Sequence, residues 1–151
     1  LISIARKYLG QKEKPHNSGF YDSEFELKMR HAGWMDSWAW CAFFVIVCLK
    51  EKGIEIPVSG SCVRFWEKNE DKQTSDIKVG YIVVWQKYKD GKPTRKGHIG
   101  ITTEAGSNHF KSIEGNTNRQ GRREGEVVRE QLHGYNWHEK NGLRLLGFIK
   151  I

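Results

Sequence analysis

Cys41, in the stretch SWAWCAFFVIVCLKEKG at positions 37–53, stands where a buried helix is predicted to begin. N–H groups at a helix start lack intrahelical partners and carry the positive end of the macrodipole, so an anion is favoured there. A thiol in that place has a lowered pKa and supplies thiolate, the reactive form. Its backbone N–H also becomes a donor to a developing oxyanion. The alternative is a cysteine that only packs, as Cys48 is expected to do two turns deeper.

A nucleophilic thiol needs a base, and His98 in GHIGI is the best placed of the six histidines. On a strand, Ile99 and Ile101 point to one face and His98 to the other. Gly97 and Gly100 leave space around the imidazole. His16, His31, His109, His133 and His138 sit in polar or loop contexts and are poorer candidates. A base in turn needs a group that fixes its tautomer and stabilises the imidazolium. SIEGNT places Glu114 and Asn116 two residues apart, on one strand face, and either could accept the second His98 N–H. The competing description is a solvated carboxylate and a turn residue.

These side chains require a helix for the cysteine and adjacent strands for the others. ISIARKYLG has one apolar face (Ile2, Ile4, Ala5, Leu9) and ends on Gly10, which predicts a short helix. QKEKPHNSGF reads as a loop, and YDSEFELKMRHAG as a second helix with Asp22 or Ser23 as N-cap and Gly33 as its stop. From Trp38 to Leu49 the chain is apolar or small throughout, the pattern of a helix buried on all sides, and KEKG closes it. SCVRFWEKN allows another short helix with Val63 and Trp66 inward.

After Gly80 the period becomes two. YIVVWQKY, HIGITTE, HFKSIEGN, EVVREQLH and LRLLGFIKI read as five strands, separated by the turn-rich stretches KDGKPTRKG, EAGSN, NTNRQGRREG and GYNWHEKNG. Helices followed by strands predict an α+β fold in which a buried central helix packs on a mainly antiparallel five-stranded sheet. A length of 151 residues fits one domain, 1–151.

Composition narrows the classes. Apolar content of 38% with six Trp argues for a globular core, and the apolar run WAWCAFFVIVCL is far short of the ~20 residues of a membrane span. A net charge of +7 favours polyanions such as nucleic acid, anionic lipid or bacterial wall polymers, without choosing among them. Three cysteines make a disulfide framework improbable; on one helix Cys41 and Cys48 are about 10.5 Å apart, so only a pairing with Cys62 is open. There is no CxxC or HExxH pair for zinc. The start LISIARKYLG lacks a signal-peptide pattern and an initiator Met, which reads as a processed chain or an excised domain.

WAWCAFFVIVCLKEKG, GYIVVW, GHIGI and SIEGNTN, in this order, resemble the successive motifs of the CHAP family, the cysteine- and histidine-dependent amidohydrolase/peptidase domains. The resemblance runs from about Ile4 to the terminal LGFIKI. Tyr81 stands where the family usually has an acidic residue, and the Asp- and Gly-rich calcium loop of some phage lysins is not found.

The resemblance implies a papain-like fold and hydrolysis of an amide bond in bacterial peptidoglycan. Cys41 is then the nucleophile, His98 the general base and later acid, and Glu114 the orienter, with Asn116 assisting. Trp38, Trp40, Trp66 and Trp85 are candidates to wall the substrate groove, and the basic NRQGRREG loop to meet anionic polymer. No metal or cofactor is expected.

The expected partner is peptidoglycan rather than nucleic acid or a membrane interior, with an immunity or delivery protein as a further candidate and a monomer as the expected state. Action in the cell wall or periplasm would follow delivery by phage lysis, a secretion system or a segment outside this chain. The rival readings are a basic, aromatic-rich binding module for glycan or nucleic acid, and a papain-like enzyme acting on a different substrate.

Overall fold

The computed structural model describes residues 1–117, 126–135 and 142–151. Helices α1 (Ile2–Lys7), α2 (Ser23–His31), α3 (Cys41–Lys52) and α4 (Cys62–Glu67) come first, and strands follow. Helix α2 begins where the Asp22 carboxylate accepts the Phe25 N–H at 2.9 Å, a side-chain cap that serves one of the orphan donors. Helix α3 is the predicted central helix: every residue from Cys41 to Leu49 is buried, and it ends on Gly53 in the left-handed conformation. It starts three residues later than the apolar run does, because Ser37 adopts a positive φ and Trp40 is the non-helical N-cap. Cys41 is therefore the first residue of the helix.

The strands are β1 (Gln73–Thr74), β2 (Ile82–Lys89), β3 (Lys92–Ala105), β4 (His109–Thr117), β5 (Val127–Gly134) and β6 (Leu143–Ile149). They form one sheet of order β1-β6-β2-β3-β4-β5, antiparallel at every pairing. Among the described residues the sheet has six strands rather than the five expected; β1 is two residues long, too short for a period to register, and is held by pairing with Ile149 and Phe148 of β6. KDGKPTRKG is not a long turn. Asp90 and Gly91, both at positive φ, make a tight hairpin, and β3 resumes at Lys92. Asp-Gly is the pair that such a two-residue hairpin favours.

Alternation on the strands divides the buried residues into two clusters. Ile82, Val84, Ile99, Ile101 and Ile113 join α3 and the other helices in the main core. Val83, Trp85, Phe110, Leu143 and Phe148 form a smaller cluster. Among the described residues no helix is long and apolar enough to cross a membrane.

Candidate active site

Strands β3 and β4 are neighbours, with Ile101 opposite Ile113, and this brings His98 and Glu114 side by side. The predicted alternation holds: Ile99 and Ile101 lie in the main core, while the His98 ring stacks on Trp85 of the smaller cluster, centroids 5.8 Å apart. His98 Nε2 meets Glu114 Oε2 at 2.8 Å, and both residues are fully buried. Nδ1 is also buried and has no hydrogen-bond partner among the described residues. Cys41, only 2% exposed, lies beside the same imidazole and raises its pKa, so the order is thiol, imidazole, carboxylate.

Glycines permit these approaches. A Cβ at Gly100 would come within 2.7 Å of Glu114 Cγ, and one at Gly115 within 2.6 Å of Trp40 Cζ3 and 2.8 Å of Phe44 Cβ. The bare backbone at Gly100 gives room to the carboxylate, and that at Gly115 seats β4 against the first turn of α3.

Electrostatics follow from the burial. Desolvation opposes a charged His98, but the interactions with Cys41 and Glu114 outweigh it and raise its pKa from 6.5 to about 10. Desolvation likewise opposes an ionised Glu114. The charge and hydrogen bond of His133, together with those of His98, reverse that and hold the carboxyl well below the usual carboxylate range. A protonated His98 imidazole beside an ionised Glu114 is the arrangement this favours.

His133 is the residue that the sequence did not disclose. It lies on β5, fully buried, with Nε2 2.5 Å from Glu114 Oε1, and the Ser112 hydroxyl donates to the same oxygen at 2.6 Å. Glu114 thus has two imidazoles and a hydroxyl around it. The available signal was alternation: Arg129, Gln131 and His133 pair with Glu114, Ser112 and Phe110. Using it required knowing the register of β4 against β5.

The other predicted residues separate. Asn116 is buried at φ 54, where the β4–β5 register shifts between Glu114 and Thr117. This bulge breaks the alternation that would have set it beside Glu114, and the side chain bonded to His98 is that of Glu114. Trp38 is 47% exposed, three residues before Cys41, and can meet a substrate. Trp40 and Trp85 are buried and cannot wall an open groove; Trp40 Nε1–H donates to Glu13 Oε2 at 2.7 Å. Trp66 is half-buried against the main core. The NRQGRREG loop and His138 lie outside the described residues. A cleft of about 340 Å³ is lined by Tyr8, Lys28 and Glu51, among others, and by none of the Cys41, His98 and Glu114 set.

Comparison of the chain with family models, with curated proteins and with solved structures returns no match in any of the three. Among the described residues no three His, Cys, Asp or Glu side chains are grouped to hold a metal ion.

Proposed function

We propose that this chain is a papain-like thiol hydrolase that cleaves an amide bond of bacterial peptidoglycan. The observation that carries the reading is the buried series Cys41, His98, Glu114, with the sulfur at the first position of α3 and the imidazole bonded on its far side by the carboxylate. The resemblance of WAWCAFFVIVCLKEKG, GHIGI and SIEGNTN to CHAP motifs supplies the substrate class. The net charge of +7 suits an anionic wall polymer.

In this mechanism the Cys41 thiolate attacks the amide carbonyl carbon, and the Cys41 N–H at the helix start helps to hold the oxyanion. The His98 imidazolium then gives its proton to the departing amine. The neutral ring that remains takes a proton from water, whose oxygen attacks the thioester and frees the acid. Glu114 keeps the ring oriented through both steps and stabilises its charged form. Trp38, 47% exposed and three residues before Cys41, is the tryptophan that meets substrate in this reading. Action in the cell wall or periplasm follows from the substrate.

Digestion of purified peptidoglycan by wild type and Cys41→Ala, with products identified by mass, tests the reading. Fragments with new amine and carboxyl ends are expected from the wild type alone. Equal release by both proteins, or by neither, contradicts it.

A further inference from the structure

The thiol of Cys41 has a second sulfur beside it. Cys62 is the first residue of α4, and its Sγ lies 3.5 Å from Cys41 Sγ, neither cysteine being in a disulfide. Two features hold Cys62 there. The Ser61 hydroxyl caps α4 by accepting the Arg64 N–H, and β3 passes close beneath, since a Cβ at Gly97 would come within 3.2 Å of Cys62 Cβ. Cys48 is a contrast within the same helix as Cys41: it is fully buried, and desolvation, then Glu51, pushes its thiol far above the ordinary range.

We propose that Cys41 and Cys62 form a reversible oxidation site for hydroperoxides, in which Cys62 traps oxidised Cys41 as a disulfide and so removes the nucleophile. The inference rests on the reading of Cys41 as the nucleophilic thiol. In the first step the Cys41 thiolate attacks one oxygen of hydrogen peroxide; the O–O bond breaks, hydroxide leaves, and Cys41 becomes a sulfenic acid. In the second, Cys62 sulfur attacks Cys41 sulfur, the S–O bond breaks, and the departing hydroxide combines with the Cys62 proton as water. Cys41 and Cys62 are together oxidised by two electrons and one peroxide is reduced.

The sulfurs need to close by only about 1.5 Å to reach the ~2.05 Å bond length. Cys41 is 2% and Cys62 5% exposed, which suits an oxidant as small as hydrogen peroxide. A dithiol restores both cysteines by exchange.

The test is peptide mapping of the intact protein after hydrogen peroxide, with free thiols alkylated under non-reducing conditions. A linked Cys41–Cys62 peptide pair is expected, lighter than the two free peptides by two hydrogen atoms and lost on dithiothreitol treatment, with Cys48 still a thiol. Peptidoglycan hydrolysis should be lost with the linkage and return with dithiothreitol. In Cys62→Ala, judged against its own untreated activity, peroxide should drive Cys41 to sulfinic acid and the loss should be permanent. Wild type in which Cys41 reaches sulfinic acid without any linkage, or in which recovery matches that of Cys62→Ala, overturns the proposal. The two readings fail separately: a linkage in a protein that never cleaves peptidoglycan removes the activity, whereas hydrolysis without a linkage removes only the oxidation site.

Discussion

Glu114 is the side chain on which the site's electrostatics turn, because His98 and His133 bond different oxygens of one buried carboxylate. The raised His98 contributes stability that is fully present below its unfolded value of 6.5 and is lost as pH rises through about 10. The lowered Glu114 contributes stability fully present above 4.5, lost as pH falls toward its folded value. Between these limits the charged pair is intact. Nitrogen NMR of the His98 ring should therefore show no titration near 6.5 and a transition near 10; a midpoint near 6.5 would contradict the pairing.

In the proposed mechanism His133 acts through Glu114, as a positioning residue. His133→Ala should lower kcat by roughly 10- to 100-fold, the size of effect that removing the hydrogen-bond partner of a metal-bound histidine has, with KM little changed. The alkaline limb of the rate profile should move to lower pH as His98 loses support, and His133→Gln, which can still donate to Glu114, should recover part of the rate. An unchanged profile would leave His133 a packing residue. Residue type and alternation offered His98 with either Glu114 or Asn116, and the CHAP resemblance implied Glu114, whereas His133 was not offered, since its place beside Glu114 depends on which strand pairs with β4 and in what register.

Helix α3 holds Cys41 and strand β4 holds Glu114, and the contact of these two elements is set at Gly115. A methyl group there meets Trp40 and Phe44, both buried in the main core, so Gly115→Ala should destabilise the fold by about 1–3 kcal/mol. Urea unfolding measures this, and a wild-type midpoint would show that the turn yields freely.

Ahead of the helix, burial raises Glu13 from 4.5 to about 7, against the opposing hydrogen bond from Trp40. The folded state then holds that proton more tightly than the unfolded chain, and stability falls as pH rises through about 7. Glu13→Gln keeps an acceptor for Trp40 and does not titrate. It should gain on wild type between about pH 5 and pH 8, and a constant difference between the proteins would contradict the burial of a charge.

At this scale the sequence disclosed α3, its Gly53 stop, an N-cap of α2 at Asp22 or Ser23 and the longer strands, all of which follow from local periodicity and capping. Strand β1 and the bulge at Asn116 were not disclosed. Both depend on distant pairing, to β6 in one case and β5 in the other.

Across the whole molecule, residues distant in sequence meet because an antiparallel sheet with helices on it places the start of α3 beside two adjacent strands. The main core with α3 and the smaller cluster with Trp85 enclose the His98–Glu114 pair, and this burial is what makes its charges matter. The α+β class was legible because helical and strand periods occupy separate halves of the chain. Which of four Trp would be exposed was not legible, because burial depends on what packs above each ring; only Trp38 is largely open.

Acid quenching of the wild-type protein during turnover of peptidoglycan, followed by mass mapping, tests the covalent chemistry most directly. The account predicts a hydroxylamine-labile acyl fragment on the Cys41 peptide, absent from Cys41→Ala. Wall fragments released at the same rate by Cys41→Ala, with no acyl group on the Cys41 peptide of the wild type, would contradict it.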